Sequence, residues 1–219
     1  MQHIIFEDAS HFDLYHLTYT RPIWDLRVGI TKLHEKWAEL LPQPFGKVAS
    51  GYLHPHFSTY SPSGPVKAYN SKFIPTADWI RDLNEALEPG SYLRHPDGTI
   101  LAFQAELETE NITFAPVTEA LLAEANLKAI TFDQELPPAI GFPYDIFRHN
   151  RHALLLDFER IRAQRTSQPI SDRHSAVYGA DNIFLEAGVN IRAAILNAED
   201  GPIFLGHNGS IQVGAFLHG

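Results

Sequence analysis

The chain has 219 residues, of which 44% are hydrophobic and 20% are charged, a composition typical of a folded protein. This length accommodates one large domain, or a medium-sized domain with part of a second. Acidic residues outnumber basic ones by 26 to 17, so bulk charge does not favour a nucleic-acid partner. The absence of cysteine excludes disulfides, thiolate nucleophiles and zinc–thiolate sites. The sequence has neither an apolar run of membrane-spanning length nor a signal peptide, which predicts a cytoplasmic protein without a membrane partner.

The first 90 residues alternate apolar runs with amphipathic segments. The apolar runs predict strands over residues 3–6, 47–50 and 66–69. Apolar residues at helical spacing predict helices over residues 31–41 and 77–87. Thr76 is the expected N-cap of the second helix, because its hydroxyl can accept a hydrogen bond from an unpaired backbone amide.

The alternation continues from residue 91 to residue 165. Two apolar runs flank His95-Pro96-Asp97-Gly98, and this turn sequence predicts a β-hairpin. Helices are predicted over residues 118–126 and 145–165, and a strand over residues 129–132. Regular alternation of helices and strands favours an α/β domain with a mostly parallel sheet.

Beyond Arg165 a linker-like stretch is followed by a period of six residues. One row of the repeat contains Leu185, Ile191, Asn197, Leu205, Ile211 and Leu217, with a two-residue insertion near Gly201. A second row contains Val189, Ile195, Ile203, Gly209 and Ala215. Such hexads are typical of a parallel β-helix, whose coils stack their aliphatic side chains, although short sandwich strands with chance spacing are the alternative.

The repeat predicts two parts of the chain. Residues 1–165 form an α/β domain, and residues 166–219 form a linker and the start of a β-helix. A solenoid needs about three or more repeats and a cap, so we expect this β-helix to be truncated.

The most informative motif lies between Asp13 and Ile30, in DLYHLTYTRPIWDLRVGI. Its Leu17-Thr18, Arg21-Pro22 and Leu26-Arg27-Val28-Gly29 resemble the N-terminal signature of sugar nucleotidyltransferases, L-T-x-x-x-P-K-x-L-L-P-V. Together with P-Y-D-I-F, P-I-S-D and N-A-x-x-G-P-I-F-L-G, it resembles a GlcNAc-1-phosphate uridyltransferase-like branch. The resemblance implies a Rossmann-like nucleotidyltransferase domain with a mostly parallel sheet, followed by the first coils of a left-handed parallel β-helix.

The resemblance also implies a reaction. A nucleoside triphosphate and a sugar 1-phosphate, such as GlcNAc-1-phosphate or glucose-1-phosphate, would react with release of pyrophosphate. Arg21 and Arg27 are the expected catalytic residues, because guanidinium groups bind phosphate oxygens in a bidentate manner. The alternative is that they are surface arginines paired with Asp8, Asp13 or Asp25. The expected substrate-binding residues are Asp8, Thr18, Trp24 and Asn70.

Magnesium and a homo-oligomer complete what the resemblance implies. Mg²⁺ is the expected cofactor, with Asn70 and Asp145 as its ligands. Asp145 lies at the start of a predicted helix, so a role as a helix cap explains it equally well. A trimer is expected to form through the complete β-helix, in which related proteins carry an acyltransferase site.

Three departures from the signature leave other interpretations open. FEDASHFD contains no glycine where the wider superfamily has a glycine-rich turn, Ile23 stands where a lysine is usual, and Asn70 stands where a carboxylate normally holds magnesium. A second interpretation is therefore a domain that has lost catalysis and serves as a binding or oligomerisation module for a β-helix acyltransferase. A third is an acyltransferase whose N-terminal domain only recognises substrate. A cleft lined by the two signature arginines would favour the enzyme.

Overall fold

The computed structural model describes residues 1–49, 51–57, 64–107 and 116–219, which form two compact units, Met1–Asn150 and Arg151–Gly219. The boundary between these units falls within one long helix, Pro143–Gln164. The predicted domain division after residue 165 stays a prediction. In the described ranges, no helix combines the length and the apolar character that crossing a membrane requires.

The first unit contains a six-stranded sheet. Its strands are β1 (Gln2–Phe6), β2 (Gly46–Lys47), β3 (Gly64–Asn70), β4 (Ser91–Arg94), β5 (Ile100–Leu107) and β6 (Lys128–Thr131). They lie in the order β2-β1-β3-β5-β4-β6, and β5 is antiparallel to both of its neighbours while the other pairs are parallel. The predicted hairpin and the largely parallel α/β sheet are therefore confirmed. The predicted strand over residues 47–50 is shorter than expected, and Ser50 lies outside the described residues.

The described residues also form seven α-helices. In chain order these are α1 (Ser10–Asp13), α2 (Tyr15–Thr18), α3 (Leu33–Ala38), α4 (His54–Phe57), α5 (Ala77–Ala86), α6 (Glu119–Glu124) and α7 (Pro143–Gln164). The predicted cap of α5 is confirmed, because Thr76 Oγ1 accepts a hydrogen bond from the backbone amide of Trp79 at 3.3 Å. α3 is shorter than the predicted helix over residues 31–41.

Both faces of the sheet are covered by apolar side chains. Since successive side chains of a strand point to opposite faces, Ile5 of β1 and Tyr69 of β3 belong to one core cluster, whereas Ile4 and Phe6 belong to a second. Burial on both sides explains why β1 is a continuous apolar run rather than an alternating one.

The second unit, all of whose residues are described, contains short strands in three small parallel sheets. The strands are β7 (Ala176–Tyr178), β8 (Ile183–Leu185), β9 (Asn190–Ile191), β10 (Ile195–Asn197), β11 (Ile203–Leu205), β12 (Ser210–Ile211) and β13 (Phe216–His218). β10 pairs with β7 and β13, β11 pairs with β8, and β12 pairs with β9. Paired strands lie about 20 residues apart in the chain, so the three sheets recur in the same order.

The predicted six-residue rows fit two of these sheets and shift on the third. Leu185 and Ile191 are buried as predicted, and each pairs with the residue expected one coil later. On the third sheet Leu196 is fully buried, whereas the predicted inward residue Ile195 is 43% exposed. Because side chains alternate along a strand, an inward Leu196 turns Ile195 and Asn197 outward. The buried residues Leu185, Ile191 and Leu196 are therefore six and then five residues apart, whereas the repeat predicts six residues at both steps.

Polar side chains of the stretch predicted as a linker accept hydrogen bonds from backbone amides of β8 and of the turns before β9 and β10. Ser167 Oγ accepts a hydrogen bond from the amide of Leu185 at 2.9 Å, and Asp172 Oδ2 accepts one from the amide of Ala193 at 2.9 Å. Gln168 Oε1 accepts a third from an amide in the turn before β9, at 3.0 Å. These contacts satisfy backbone donors that a preceding coil would otherwise have to pair with.

Candidate functional site

Polar and charged side chains meet where β1 and β3 end. Asp8 and Ser10 follow β1, Asn70 is the last residue of β3, and Lys72 lies two residues further along. β1 and β3 are parallel neighbours, so these four residues, here called the strand-end cluster, lie at the same edge of the sheet. The carboxyl edge of parallel strands is where open α/β sheets bind their ligands.

An ion pair between Asp8 and Lys72 is at the centre of the strand-end cluster. Lys72 Nζ lies 2.7 Å from Asp8 Oδ2 and donates a hydrogen bond to Ser10 Oγ at 3.1 Å. The amide of Ser10 donates to Asp8 Oδ1 at 3.0 Å, and Asn70 Nδ2 donates to Asp8 Oδ2 at 2.8 Å. The side chains of Lys72 and Asp8 are 12% and 11% exposed, so water screens their attraction only weakly.

These contacts determine the charge state of Asp8. Burial alone would raise the pKa of its carboxyl group. The Lys72 ammonium and hydrogen bonds from Lys72, Asn70 and Ser10 outweigh this effect together, and the pKa of Asp8 lies below its ordinary value. The Asp8 carboxyl group is therefore ionised at neutral pH.

Asn70 is fully buried and ties the cluster together. Its Nδ2 donates to Asp8 and also to the backbone carbonyl of Ile100 on β5 at 2.8 Å. Its Oδ1 accepts a hydrogen bond from the backbone amide of Lys72 at 3.2 Å. Asn70 therefore links three neighbouring strands and shapes the turn that carries Lys72.

Asp145 lies at the start of α7, beside the same edge of the sheet. Its Oδ2 accepts hydrogen bonds from the amides of Gly141 and Phe142, at 3.0 and 2.8 Å, as a helix-capping carboxylate does. A methyl group at Gly141 would lie 3.8 Å from this oxygen and 4.0 Å from Ser10 Oγ, which places Asp145 close to the strand-end cluster without a direct contact.

The two predicted magnesium ligands do not fit a magnesium ion in this arrangement. The Asn70 oxygen is already an acceptor, and a neutral amide is a weak ligand for this hard cation. Asp145 serves as a cap, and the nearby Asp8 carboxylate is neutralised by an ammonium group. In the part of the chain that the structure describes, no three histidine, aspartate or glutamate side chains group into a metal cluster.

The loop after β1, residues 7–30, is held to the protein interior by a buried glutamate. Glu7 Oε1 accepts a hydrogen bond from the amide of Ile23 at 2.7 Å and lies 3.1 Å from His11 Nδ1. Thr18 Oγ1 donates to the carbonyl of His11 at 2.7 Å, and this side chain is fully buried. Thr18, predicted to contact substrate, therefore holds the loop in its conformation.

The other predicted residues of this loop differ in their surroundings. Arg21 and Arg27 are both exposed, and Arg27 Nη1 donates to the carbonyl of Ile30 within its own turn. Arg21 makes no hydrogen bond or ion pair with a described residue. Trp24, also predicted to bind substrate, is 2% exposed, and its indole packs in a core cluster. The structure thus joins Asp8 to Asn70, while no contact among the described residues joins either arginine to them.

The predicted alternative for the arginines, pairing with nearby acids, can be compared with the ion pairs present. Asp8 pairs with Lys72, and Asp25 Oδ1 lies 2.6 Å from Lys32 Nζ. Both acids are thus occupied by lysines that the motif analysis did not consider. Arg21 keeps its charge exposed on a loop whose backbone Glu7 fixes.

The comparisons with known proteins establish the family. A family model described as sugar nucleotidyl transferase matches residues 3–166. The chain belongs to the sugar nucleotidyl transferase family. The matched stretch contains the six-stranded sheet, except Gln2 at the start of β1, and the strand-end cluster. The search of curated proteins gave no match.

Ile23 and Lys72 show how this chain departs from the family signature in the placement of positive charge. Ile23 stands where the sugar nucleotidyltransferase signature has a lysine, and its side chain is fully buried. Lys72, which the motif analysis missed, places an ammonium group at the carboxyl edge of the sheet from a different strand. The sequence signal for it is modest: it is the basic residue of YNSKFIP, directly after a strand.

Proposed function

We propose that this protein transfers a nucleotidyl group from a nucleoside triphosphate to a sugar 1-phosphate and releases pyrophosphate. The observation that carries the proposal is the charged strand-end cluster at the carboxyl edge of β1 and β3, in a chain that belongs to the sugar nucleotidyl transferase family. That edge is the usual ligand-binding position of such sheets.

The reaction is a displacement at phosphorus. A phosphate oxygen of the sugar 1-phosphate attacks the α-phosphorus, a new P–O bond forms, and the bond from the α-phosphorus to the bridging oxygen breaks as pyrophosphate leaves. Positioning and charge neutralisation provide most of the catalysis in reactions of this kind. Because the chain has a formal net charge of −9, its anionic substrates depend on a few local cations. Arg21, exposed on the fixed loop after β1, is one of them.

The substrates to test first follow from the sequence resemblance. UTP and dTTP are the preferred nucleotides, and GlcNAc-1-phosphate and glucose-1-phosphate are the preferred acceptors. This choice is supported by the motifs P-Y-D-I-F, P-I-S-D and N-A-x-x-G-P-I-F-L-G. Magnesium enters the proposal as the counterion of the nucleotide, and thus as part of the substrate.

The decisive experiment is a matrix of nucleotides and sugar phosphates. Purified protein is incubated with each nucleoside triphosphate and each sugar 1-phosphate in a buffer with Mg²⁺, and pyrophosphate and nucleotide sugar are quantified. We expect one pair to release pyrophosphate and nucleotide sugar in equal amounts. Binding of a nucleotide without product from any pair would instead favour the binding-module interpretation.

We also propose that the second unit forms the first coils of a left-handed parallel β-helix, and that the protein assembles as a trimer through the complete β-helix. Three recurring parallel sheets with paired strands about 20 residues apart support the β-helix. Sedimentation equilibrium tests the assembly, and a single monomeric species at every concentration would contradict it.

A further inference from the structure

The family signature has a lysine and a metal-binding carboxylate at positions where this chain has neither. The signature lysine is replaced by the buried Ile23, and the position expected to hold a metal-binding carboxylate is occupied by the engaged amide of Asn70. A triphosphate nevertheless requires positive charge close to its phosphates. The strand-end cluster contains one ammonium group, that of Lys72, among its four side chains.

We propose that Lys72 is the resident cation of the nucleotide site and binds the phosphate oxygens directly, in place of the signature lysine and of a protein-held metal ion. The inference rests on the proposed function, since it names the group that holds the nucleotide in that reaction. The inference adds a substrate-binding residue on the turn after β3, whereas the predicted arginines lie on the loop after β1.

The hydrogen bonds of Lys72 leave room for such a ligand. An ammonium group has three N–H donors. Asp8 Oδ2 and Ser10 Oγ accept two of them, at 2.7 and 3.1 Å. No hydrogen-bond acceptor among the described residues takes the third, and Nζ lies 5.7 Å from the centre of the Phe73 ring. A phosphate oxygen that accepted this third hydrogen bond would leave the ion pair in place.

The contacts also fix where the charge lies. A free lysine side chain loses considerable rotamer entropy when it is immobilised. Here Asp8 and Ser10 already restrict Lys72, and Asn70 Oδ1 holds its backbone amide at 3.2 Å. The ammonium is thus preorganised at the carboxyl edge of the sheet before any ligand arrives.

The test compares two variants that both lack the Asp8 charge. Asp8→Asn keeps Lys72 and removes its counter-charge, whereas the double variant Asp8→Asn/Lys72→Met removes both charges and leaves no buried carboxylate unpaired. Calorimetric titration with UTP, dTTP, ATP, GTP and CTP is carried out in EDTA, so that no divalent ion contributes. Circular dichroism and urea denaturation verify that each variant is folded.

We expect Asp8→Asn, which keeps the ammonium group but loses part of its positioning, to bind the preferred nucleotide in EDTA with an affinity between those of the unmodified protein and the double variant. The double variant is expected to bind about tenfold or more weakly, as the loss of a hydrogen bond to a charged group predicts. Lys67→Met is the matched control, because Lys67 lies earlier on β3 and its Nζ donates to Asn84 Oδ1 at 2.9 Å. It should leave nucleotide affinity unchanged.

The outcomes separate this inference from the proposed function. Equal affinity of the two Asp8 variants would overturn the role of Lys72, and so would binding by the unmodified protein that occurs only with Mg²⁺ present. Binding in EDTA that depends on Lys72, with no pyrophosphate release from any substrate pair, would uphold Lys72 and overturn the proposed reaction. An unmodified protein that binds no nucleotide under either condition would overturn both.

Discussion

The loops that follow β1 and β3 begin at the same edge of the sheet, but the first exposes its positive charges whereas the second buries one. The loop after β1 is held by the buried acid Glu7, while its two arginines are exposed. The turn after β3 carries Lys72, whose ammonium is largely buried against Asp8. The first loop contains the motif that resembles the family signature, and the second has the preorganised charge.

The difference shows why a motif does not locate a site by itself. The most informative motif lies in the loop after β1, where Thr18 and Trp24 form structural contacts rather than facing outward. The ammonium group of Lys72, which lies at this edge, comes from a turn with no recognisable motif. Position at the carboxyl ends of parallel strands, rather than membership of a motif, therefore identifies the candidate site.

The largest expected effect comes from breaking the ion pair on one side only. Lys72→Met leaves the Asp8 carboxylate buried without its cation, and we expect the free energy of unfolding to fall by about 3 kcal/mol. The double variant Asp8→Asn/Lys72→Met should recover most of this loss, because it contains no buried charge. Urea denaturation followed by circular dichroism measures both.

An exposed ion pair provides the control for this prediction. Arg81 Nη1 lies 2.7 Å from Asp78 Oδ1, but both side chains are more than half exposed. Arg81→Met should leave the urea midpoint unchanged, since solvent screens such pairs. If Lys72→Met also left the urea midpoint unchanged, the Asp8–Lys72 ion pair would not distinguish the turn after β3 from the loop after β1.

A carboxylate at position 70 should be the next most damaging change. Asn70→Asp replaces the donor to Asp8 Oδ2 and to the carbonyl of Ile100 by an acceptor, and places a second acid in the cluster. We expect a loss of about 2 kcal/mol in unfolding free energy at neutral pH. Asn70→Ser, which keeps a donor, should lose less. A variant as stable as the unmodified protein that also binds Mn²⁺ in a titration would restore the metal-ligand interpretation of position 70.

The Asp8 charge also predicts the response to acid. The pKa of Asp8 is lower in the folded protein than its ordinary value of 3.8, so its stabilising contribution is present above that value and disappears as the pH falls through the folded pKa. Asp8→Asn should therefore lose less stability than the unmodified protein between about pH 6 and pH 2. Parallel pH profiles of the two proteins would refute the charged state of Asp8.

Local signals in the sequence predicted the strands of the six-stranded sheet and the helices α3, α5, α6 and α7, but not the short helices α1, α2 and α4. Thr76 was identifiable as an N-cap because capping depends on residues three apart, and the hairpin followed from Pro96-Asp97-Gly98. The sheet type followed from the alternation of helices and strands. The shift from Asn197 to Leu196 as the inward residue was missed, since a one-residue change in a turn is invisible to a fixed six-residue period.

The candidate site depended on contacts that local patterns do not contain. Asp8 and Asn70 were both predicted as site residues, and the structure brings them within 2.8 Å although 62 residues separate them. The role of Asn70 could not be predicted, because it depends on a carbonyl of β5 and an amide beyond β3. Lys72 was missed for the same reason, because its role depends on an ion pair with Asp8, which follows a neighbouring strand and is distant in the sequence.

Within the loop after β1, the buried Thr18 hydroxyl should have a moderate effect on stability. Thr18→Val preserves the shape of the side chain but removes the hydrogen bond to the carbonyl of His11, so we expect a loss of about 1 kcal/mol. Thr131→Val, at an exposed position of β6, should be neutral. A larger loss of nucleotide affinity than of stability in Thr18→Val would indicate that the hydroxyl contacts substrate after all.

The two signature arginines should differ in function while neither affects stability. Arg27 donates to the carbonyl of its own turn, whereas Arg21 has no partner among the described residues and lies two residues from the amide that Glu7 holds. We therefore expect Arg21→Ala to raise the KM for an anionic substrate by about fivefold, and Arg27→Ala to leave it unchanged. Steady-state kinetics of pyrophosphate release, with melting temperatures as the folding control, measures the difference. Because the exposed arginine acts on a substrate that Lys72 already holds, its effect should stay smaller than that of Lys72, and the reverse ranking would move the principal phosphate contact back to the loop after β1.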